Sequence, residues 1–327
     1  PIREPTGSPR CNETAMTSTN LLPHLVADYS NPPPFVDRTY GEPLFHSDSE
    51  VVGLAYAPDE TLWSIEESGV LRQWSRDGKL LTRNFLTDLE TIWAFSANAD
   101  RLASASDDLV IWNTATGRVL QRLPVDSWVA ALAFSHDGRV LASGHDDGLV
   151  RLWDVQSGAL IAEISAHQKA VSALAFRLDQ LHLASAGEDR VIRVWDLDSR
   201  AEIGRFTGHT DRIPSLAWQP NGDLLASAAW DTTARLWRPG TSDPLMLLNS
   251  HSEQVHVLAW SRDGDRLACA DSDFTIHVWN DPRGGRVQFV LQGHGDEVRT
   301  LAFSNDGTRL ASAGADRVVH IWDLQTG

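Results

Sequence analysis

The chain has 327 residues, and its 44 Asp and Glu against 28 Lys and Arg leave a formal charge of −16, which excludes a nucleic-acid binder or a protein held on anionic lipid by a polybasic patch. Apolar residues at 42% suffice for a large packed core, so the chain as a whole is not disordered. Its two cysteines, Cys11 and Cys269, build neither a disulfide framework nor a metal knuckle, which points to a reducing, cytoplasmic setting, and no apolar run approaches the ~18 residues of a membrane span.

Residues 1–37 hold seven of the fifteen prolines, including Pro32–Pro34, among Ser, Thr and Asn. They read as a Pro-rich linker or tail, and Pro1 in place of Met as the start of a piece of something longer. A strand is predicted next, over Tyr40–His46. From there the tryptophans set a period. Trp74, Trp112, Trp153, Trp195, Trp237, Trp279 and Trp322 are spaced by 38, 41, 42, 42, 42 and 43 residues, the mark of a repeat architecture. Other features fall into phase with them. An alternating apolar strand comes about 20 residues earlier, as in Ala131–Phe134, Ala173–Phe176, Ser215–Trp218, Val257–Trp260 and Thr300–Phe303. Asp137-Gly138, Asn221-Gly222, Asp263-Gly264 or Asp306-Gly307 then supplies a tight hairpin turn. A strand of small residues follows (Leu141–Gly144, Leu183–Ala186, Leu310–Ala313), then an Asp-centred turn, the Trp-bearing strand, and a looser fourth strand such as Ala159–Ile164. Each repeat therefore carries four short strands and no helical stripe.

Trp153-Asp154, Trp195-Asp196 and Trp322-Asp323 close repeats, and Gly208-His209 and Gly293-His294 open them. In length, opening and close these units resemble WD40 repeats over roughly residues 38–327. The resemblance implies an all-β fold: a seven-bladed β-propeller of four-stranded antiparallel blades around a central channel, occupying 38–327 behind the 1–37 tail. The seventh repeat ends at Gly327 without a fourth strand. Tyr40–His46 is the expected replacement, closing the ring as the outer strand of the last blade, where Pro43 is tolerable.

His46, His167, His209, His251 and His294 occupy the opening position. In the family such a His joins a buried relay with a strand hydroxyl, the turn Asp and the Trp. Carried over by position, the full sets are His167, Ser185, Asp189, Trp195; His209, Ser227, Asp231, Trp237; and His294, Ser312, Asp316, Trp322. Each mimics a hydrolase triad, but a set that recurs in several blades and ends on an indole donor reads as structural. No catalytic, cofactor-binding or metal-binding residue is expected, and no enzyme activity. Other repeats depart from the pattern. His251 faces Cys269 with Asp273 and Trp279; His46 has Ser64 and Trp74 but Ser68 for the Asp; the second and third repeats have no histidine in phase. Blades one to three are thus the expected less rigid half. His277 and His320 suggest a metal pair, yet Arg72, Arg151, Arg193 and Arg235 fill the same slot elsewhere, so the slot reads as a solvated strand position.

Three positions per repeat resemble the family's top-face contacts: either side of the first strand's leading apolar residue, and just before the turn Asp. They give Trp128, Arg212, Pro214, Trp230, His256, Glu297 and Arg299, with Glu67, Asp107, Asp146 and Glu188. Trp230, Trp128 and Arg212 are expected to frame one solvent-reachable patch. The four acids, all from blades one to four, suggest a partner with a basic segment. The expectation is a non-catalytic protein- or peptide-binding scaffold or sensor module of a larger multidomain protein. It would be monomeric as a propeller and would bind neither nucleic acid nor membrane. The alternatives are a purely structural subunit of a stable assembly and a hydrolase acting in the central channel.

Overall fold

The computed structural model describes residues 45–86, 92–179, 181–220 and 222–325. Seven antiparallel sheets of four strands each follow one another along the chain. Among the described residues the helical content is one short 3₁₀ turn, Pro282–Gly284, and no helix is long and apolar enough to cross a membrane.

Local chemistry sets each first hairpin. At Ser135-His-Asp-Gly138 the Asp137 carboxylate accepts from the Ser135 hydroxyl and the Arg139 amide. Gly138 takes the left-handed φ of 67° that the turn demands. Ser261–Gly264 and Ser304–Gly307 repeat this geometry. The second strands are narrow: Ala103, Ala142, Ala184, Ala226, Ala268 and Ala311 have no exposed surface, which lets neighbouring sheets pack face to face. Each repeat Trp is buried, and each interface has its own apolar cluster. Between blades 4 and 5, for example, Val194 and Phe206 pack with Leu216, Trp218 and Trp237.

The first strands line the ring, each packed on the first strand of the next blade: Val51–Tyr56 on Ile92–Phe95, and so on until Val298–Phe303 returns to Val51–Tyr56. Polar bonds cross these seams as well. Trp218 Nε1 donates to Ala175 O at 3.2 Å and Trp260 Nε1 to Ala217 O at 3.1 Å. The Leu54 amide donates to Thr300 Oγ1 at 3.1 Å, linking blade 1 to blade 7. The seventh sheet has the order Phe45–His46, Val318–Asp323, Arg309–Gly314, Val298–Phe303. Phe45 lies opposite Val319 and His46 opposite Val318. The ring is closed by a strand from the other end of the chain, whereas Tyr40–Leu44 and the 1–37 tail lie outside the described residues.

One irregularity recurs and positions the rim. In blades 1, 3, 4, 6 and 7 the first strand carries an extra residue just after its leading valine, and the register slips there. Such a bulge re-aims the extra side chain. His256 and Arg299 are bulge residues of blades 6 and 7.

Candidate functional site

The three expected relays form in blades 4, 5 and 7. His167 meets Asp189 through Nδ1 at 2.9 Å and Ser185 through Nε2 at 2.8 Å. For His209 the distances are 2.8 Å to Asp231 and 2.7 Å to Ser227, and for His294 2.7 Å to both Asp316 and Ser312. The indoles of Trp195, Trp237 and Trp322 donate to the same hydroxyls. In blade 5 the protons therefore run one way, from indole N–H to Ser227 Oγ, from its O–H to His209 Nε2, and from Nδ1–H to the carboxylate. Burial holds His167 and His209 below the usual imidazole range. Burial alone would raise Asp231, but hydrogen bonds from His209 and Thr233 outweigh it and hold it well below the usual carboxylate range. The three serine side chains are fully buried, so no substrate reaches these would-be triads.

The Arg slot is not solvated. Arg72, Arg151 and Arg193 are 5%, 6% and 8% exposed, because the guanidinium neutralises acids at the head of the relay. Arg193 Nη1 lies 2.9 Å from Asp189 and 2.7 Å from His167 Nδ1. Arg151 reaches Asp126, Asp147 and Glu163 at 2.9–3.1 Å, and Arg72 pairs with Asp48 and Glu66. His277, in the same slot, is buried too, and His320 is half-buried.

Blades 1, 3 and 6 solve the relay differently from the sequence expectation. His46 is exposed, and Ser49 rather than His46 meets Ser68, at 2.8 Å. Buried Glu66 takes the relay's place, accepting from Ser49 and paired to Arg72. Blade 3 does have a histidine relay, supplied by His145: Trp153 donates to Ser143, Ser143 meets His145 Nε2 at 2.8 Å, and Nδ1 meets Ser127 at 2.9 Å. In blade 6 His251 pairs with Asp271, at 2.7 Å, and not with Asp273, which accepts from Ser252 instead. Glu66, His145 and Asp271 each stand two residues beyond the relay's Ser or Cys, and so on the same strand face. Blade 4 has Gly187 there, and a Cβ at that position would come within 2.6 Å of His167 Nδ1. This neighbourhood thus holds a loop imidazole in blade 4, a strand side chain in blades 1 and 3, and both in blade 6. Among the described residues, blade 2 shows the Trp112-to-Ser104 bond of the relay, with Val110 in the Arg slot.

Above the relays the candidate contacts lie along one rim. A backbone hydrogen bond ties the turn after the second strand to the segment leading into the first: Glu67 to Glu50, Asp146 to Trp128, Glu188 to Ala170, Trp230 to Arg212, Ser272 to Gln254 and Ala315 to Glu297. From blade 5 to blade 1 the rim side chains form a continuous line. The Arg212 guanidinium lies 5.1 Å over the Trp230 ring, and Trp230 meets His256 edge-on at 6.1 Å. His256 contacts Glu297 at 3.3 Å, and Arg299 binds Glu50 at 3.0 Å. Pro214 is half-buried beside them. Trp230 is less open than expected: it is half-buried, with its indole nitrogen shielded. Trp128, in blade 3, is 51% exposed, whereas the Arg212–Trp230 stack belongs to blade 5. Glu67, Asp107, Asp146 and Glu188 are all exposed. Sequence reasoning passed over Glu50, the far end of this line, although it stands in the same phase as Trp128, Arg212 and Glu297, just before a first strand's leading apolar residue.

A model of the WD domain, G-beta repeat, matches residues 200–238, 242–280 and 285–323, and one of the Vps8 beta-propeller matches 124–215. Among curated proteins the chain is similar to Autophagy-related protein 16 of Arabidopsis thaliana, 33% identical over 24% of this chain and 15% of that protein. It is similar to Apoptotic protease-activating factor 1 of Rattus norvegicus, 32% identical over 32% of this chain and 9% of that protein. It is similar as well to a Coronin-like protein of Saccharomyces cerevisiae, 34% identical over 21% and 11%. The matched regions span less than a sixth of each relative. Seven closed four-stranded blades, the Trp period and the repeat matches agree: the chain folds as a seven-bladed β-propeller that carries WD40 repeats over 200–238, 242–280 and 285–323.

Proposed function

We propose that the rim is a recognition surface for a protein or peptide, working without bond chemistry, as a scaffold or sensor module within a larger cytoplasmic protein. The small share of each relative that this chain matches is in keeping with a module. The observation that carries the reading is the exposed Trp128 beside a row of exposed acids from four consecutive blades, Glu67, Asp107, Asp146 and Glu188. A basic segment laid along that row would place a cation over the Trp128 indole and others against the carboxylates. The line from Arg212 to Glu50, held by ring contacts and ion pairs among its own members, forms the opposite wall.

The test is a library of displayed peptides selected on the purified propeller. Lys- and Arg-rich sequences should be enriched and should bind more weakly as salt rises. Trp128→Ala should cost at least 2 kcal/mol of binding, roughly thirtyfold in affinity, with no change in melting temperature. Enrichment of acidic or uncharged peptides, or wild-type binding by both Trp128→Ala and an Asp146→Lys/Glu188→Lys double variant, would end the proposal.

A further inference from the structure

Each first strand starts at the rim and ends at its hairpin turn, so the hairpins form the opposite mouth of the channel. All seven first strands end on an aromatic residue. In blades 5, 6, 7 and 1 it is buried, as Trp218, Trp260, Phe303 and Tyr56. In blades 2, 3 and 4 Phe95, Phe134 and Phe176 are half-buried. With Leu178 and Pro220 they wall a cavity of about 490 Å³. A second cavity, of about 590 Å³, shares Phe95, Pro220 and Arg262 with the first and continues along blades 7 and 1 as far as Arg299. Volumes of about 300–1,000 Å³ suit a small organic molecule, oriented by a few polar groups on an apolar wall.

The lining departs from the charge of the chain. Asp and Glu make up 44 of the 327 residues, yet among the described residues neither cavity is lined by one. The hairpin acids are turned into their own turns: Asp263 and Asp306 accept from Ser261 and Ser304 and from turn amides. The two arginines of the lining differ. Arg299, at the rim end, is bound by Glu50 at 3.0 Å. Arg262, two residues past the end of its strand, has no carboxylate partner among the described residues. Its Nη1 donates to Asn305 Oδ1 at 2.9 Å, and Asn305 Nδ2 donates to Ala57 O at 2.7 Å. That brace runs from blade 6 through blade 7 to blade 1 and holds the guanidinium at the mouth. Among the described residues its Nε and Nη2 bond no protein acceptor, which leaves one N–H edge for the two-point pairing that a carboxylate makes with arginine.

We propose that the hairpin mouth of the channel binds a small aryl carboxylate, its ring against Phe95, Phe134 and Phe176 and its carboxylate on Arg262. The half-buried phenyl rings offer offset-stacked and edge-on contacts, and covering their remaining surface favours an apolar body. One braced guanidinium matches one negative charge, whereas a cationic ligand would meet no acid in the lining. The site lies at the opposite end of the channel from the peptide-binding rim and does not depend on it.

Calorimetric titration with naphthoate tests the assignment. The full chain should bind one naphthoate, and should bind naphthylmethanol and naphthylmethylamine at least about tenfold more weakly. Arg262→Gln removes the charge at an exposed position, and Ala97→Glu, also exposed, adds an acid to the lining. Both should keep the melting temperature and lose at least about tenfold in affinity for naphthoate. Arg139→Gln alters an exposed arginine of the blade 3 hairpin that lines neither cavity, and should bind as the wild type does. No binding by the wild type, wild-type affinity in Arg262→Gln, equal or tighter binding of the alcohol or the amine, or the same loss in Arg139→Gln would overturn the assignment.

Discussion

A single hydroxyl decides how well each repeat tryptophan is satisfied. Trp237 donates to Ser227, which passes its own proton to His209, so the indole N–H anchors a three-member chain inside the sheet. Trp237→Phe keeps most of the ring volume but removes that donor, and should cost about 1–3 kcal/mol, the usual penalty for an orphaned buried polar group. Trp279 is the informative comparison, since its indole N–H has no hydrogen-bond acceptor beside Cys269. Trp279→Phe should therefore cost distinctly less than Trp237→Phe. Urea melts of the two variants and the wild type check this, and equal losses would show that the serine relay contributes nothing to stability.

At the scale of the strand, the sequence was readable wherever a repeat kept its period and opaque where it shifted by two. The blades, their hairpins and the relays of blades 4, 5 and 7 follow from the Trp spacing and its phased Gly, His and Asp. Glu66, His145 and Asp271 were not legible. They come from the end of the second strand, and only its alternating pleat shows that a residue two beyond the hydroxyl reaches the same buried space as a loop histidine. Arg72, Arg151 and Arg193 misled for a related reason: charge suggested solvent, while the acids that bury them arrive from other loops. The rim was located by phase, but its contacts were not, since a bulge turns His256 and Arg299 off the strand's regular alternation. These buried imidazoles also fix a pH response. Burial lowers His145, His167 and His209 in the folded protein, so the unfolded chain takes up protons first. Their contribution is complete above the ordinary imidazole pKa of ~6.5 and is lost progressively as pH falls below it. The melting temperature should therefore drop between about pH 7 and 5, before most carboxylates titrate. A flat profile over that range would mean the three rings protonate freely in the fold.

For the whole molecule the decisive element is the pair Phe45–His46 on Val318–Asp323. It covers an outer edge that blade 7 would otherwise present to solvent as unpaired amides and carbonyls. Deletion of residues 1–46 should lower the melting temperature and promote association through that edge. A truncated protein that stayed monomeric with an unchanged melt would show the seal to be dispensable. The same pair also bears on the order of events in folding. Six sheets are made from neighbouring hairpins and can assemble as each repeat becomes available. The seventh needs partners about 270 positions apart, and a loop of that length is slow to close. Folding should therefore end in one late step, in which the circle shuts and the blade 1–blade 7 seam forms. Until that moment the apolar faces of Val51 and Leu54 on one side and Ala311 and Val319 on the other have no cover. An unclosed chain offers two complementary sticky ends, which can find each other within one molecule or in two, so crowded refolding should yield head-to-tail oligomers built from correctly formed blades.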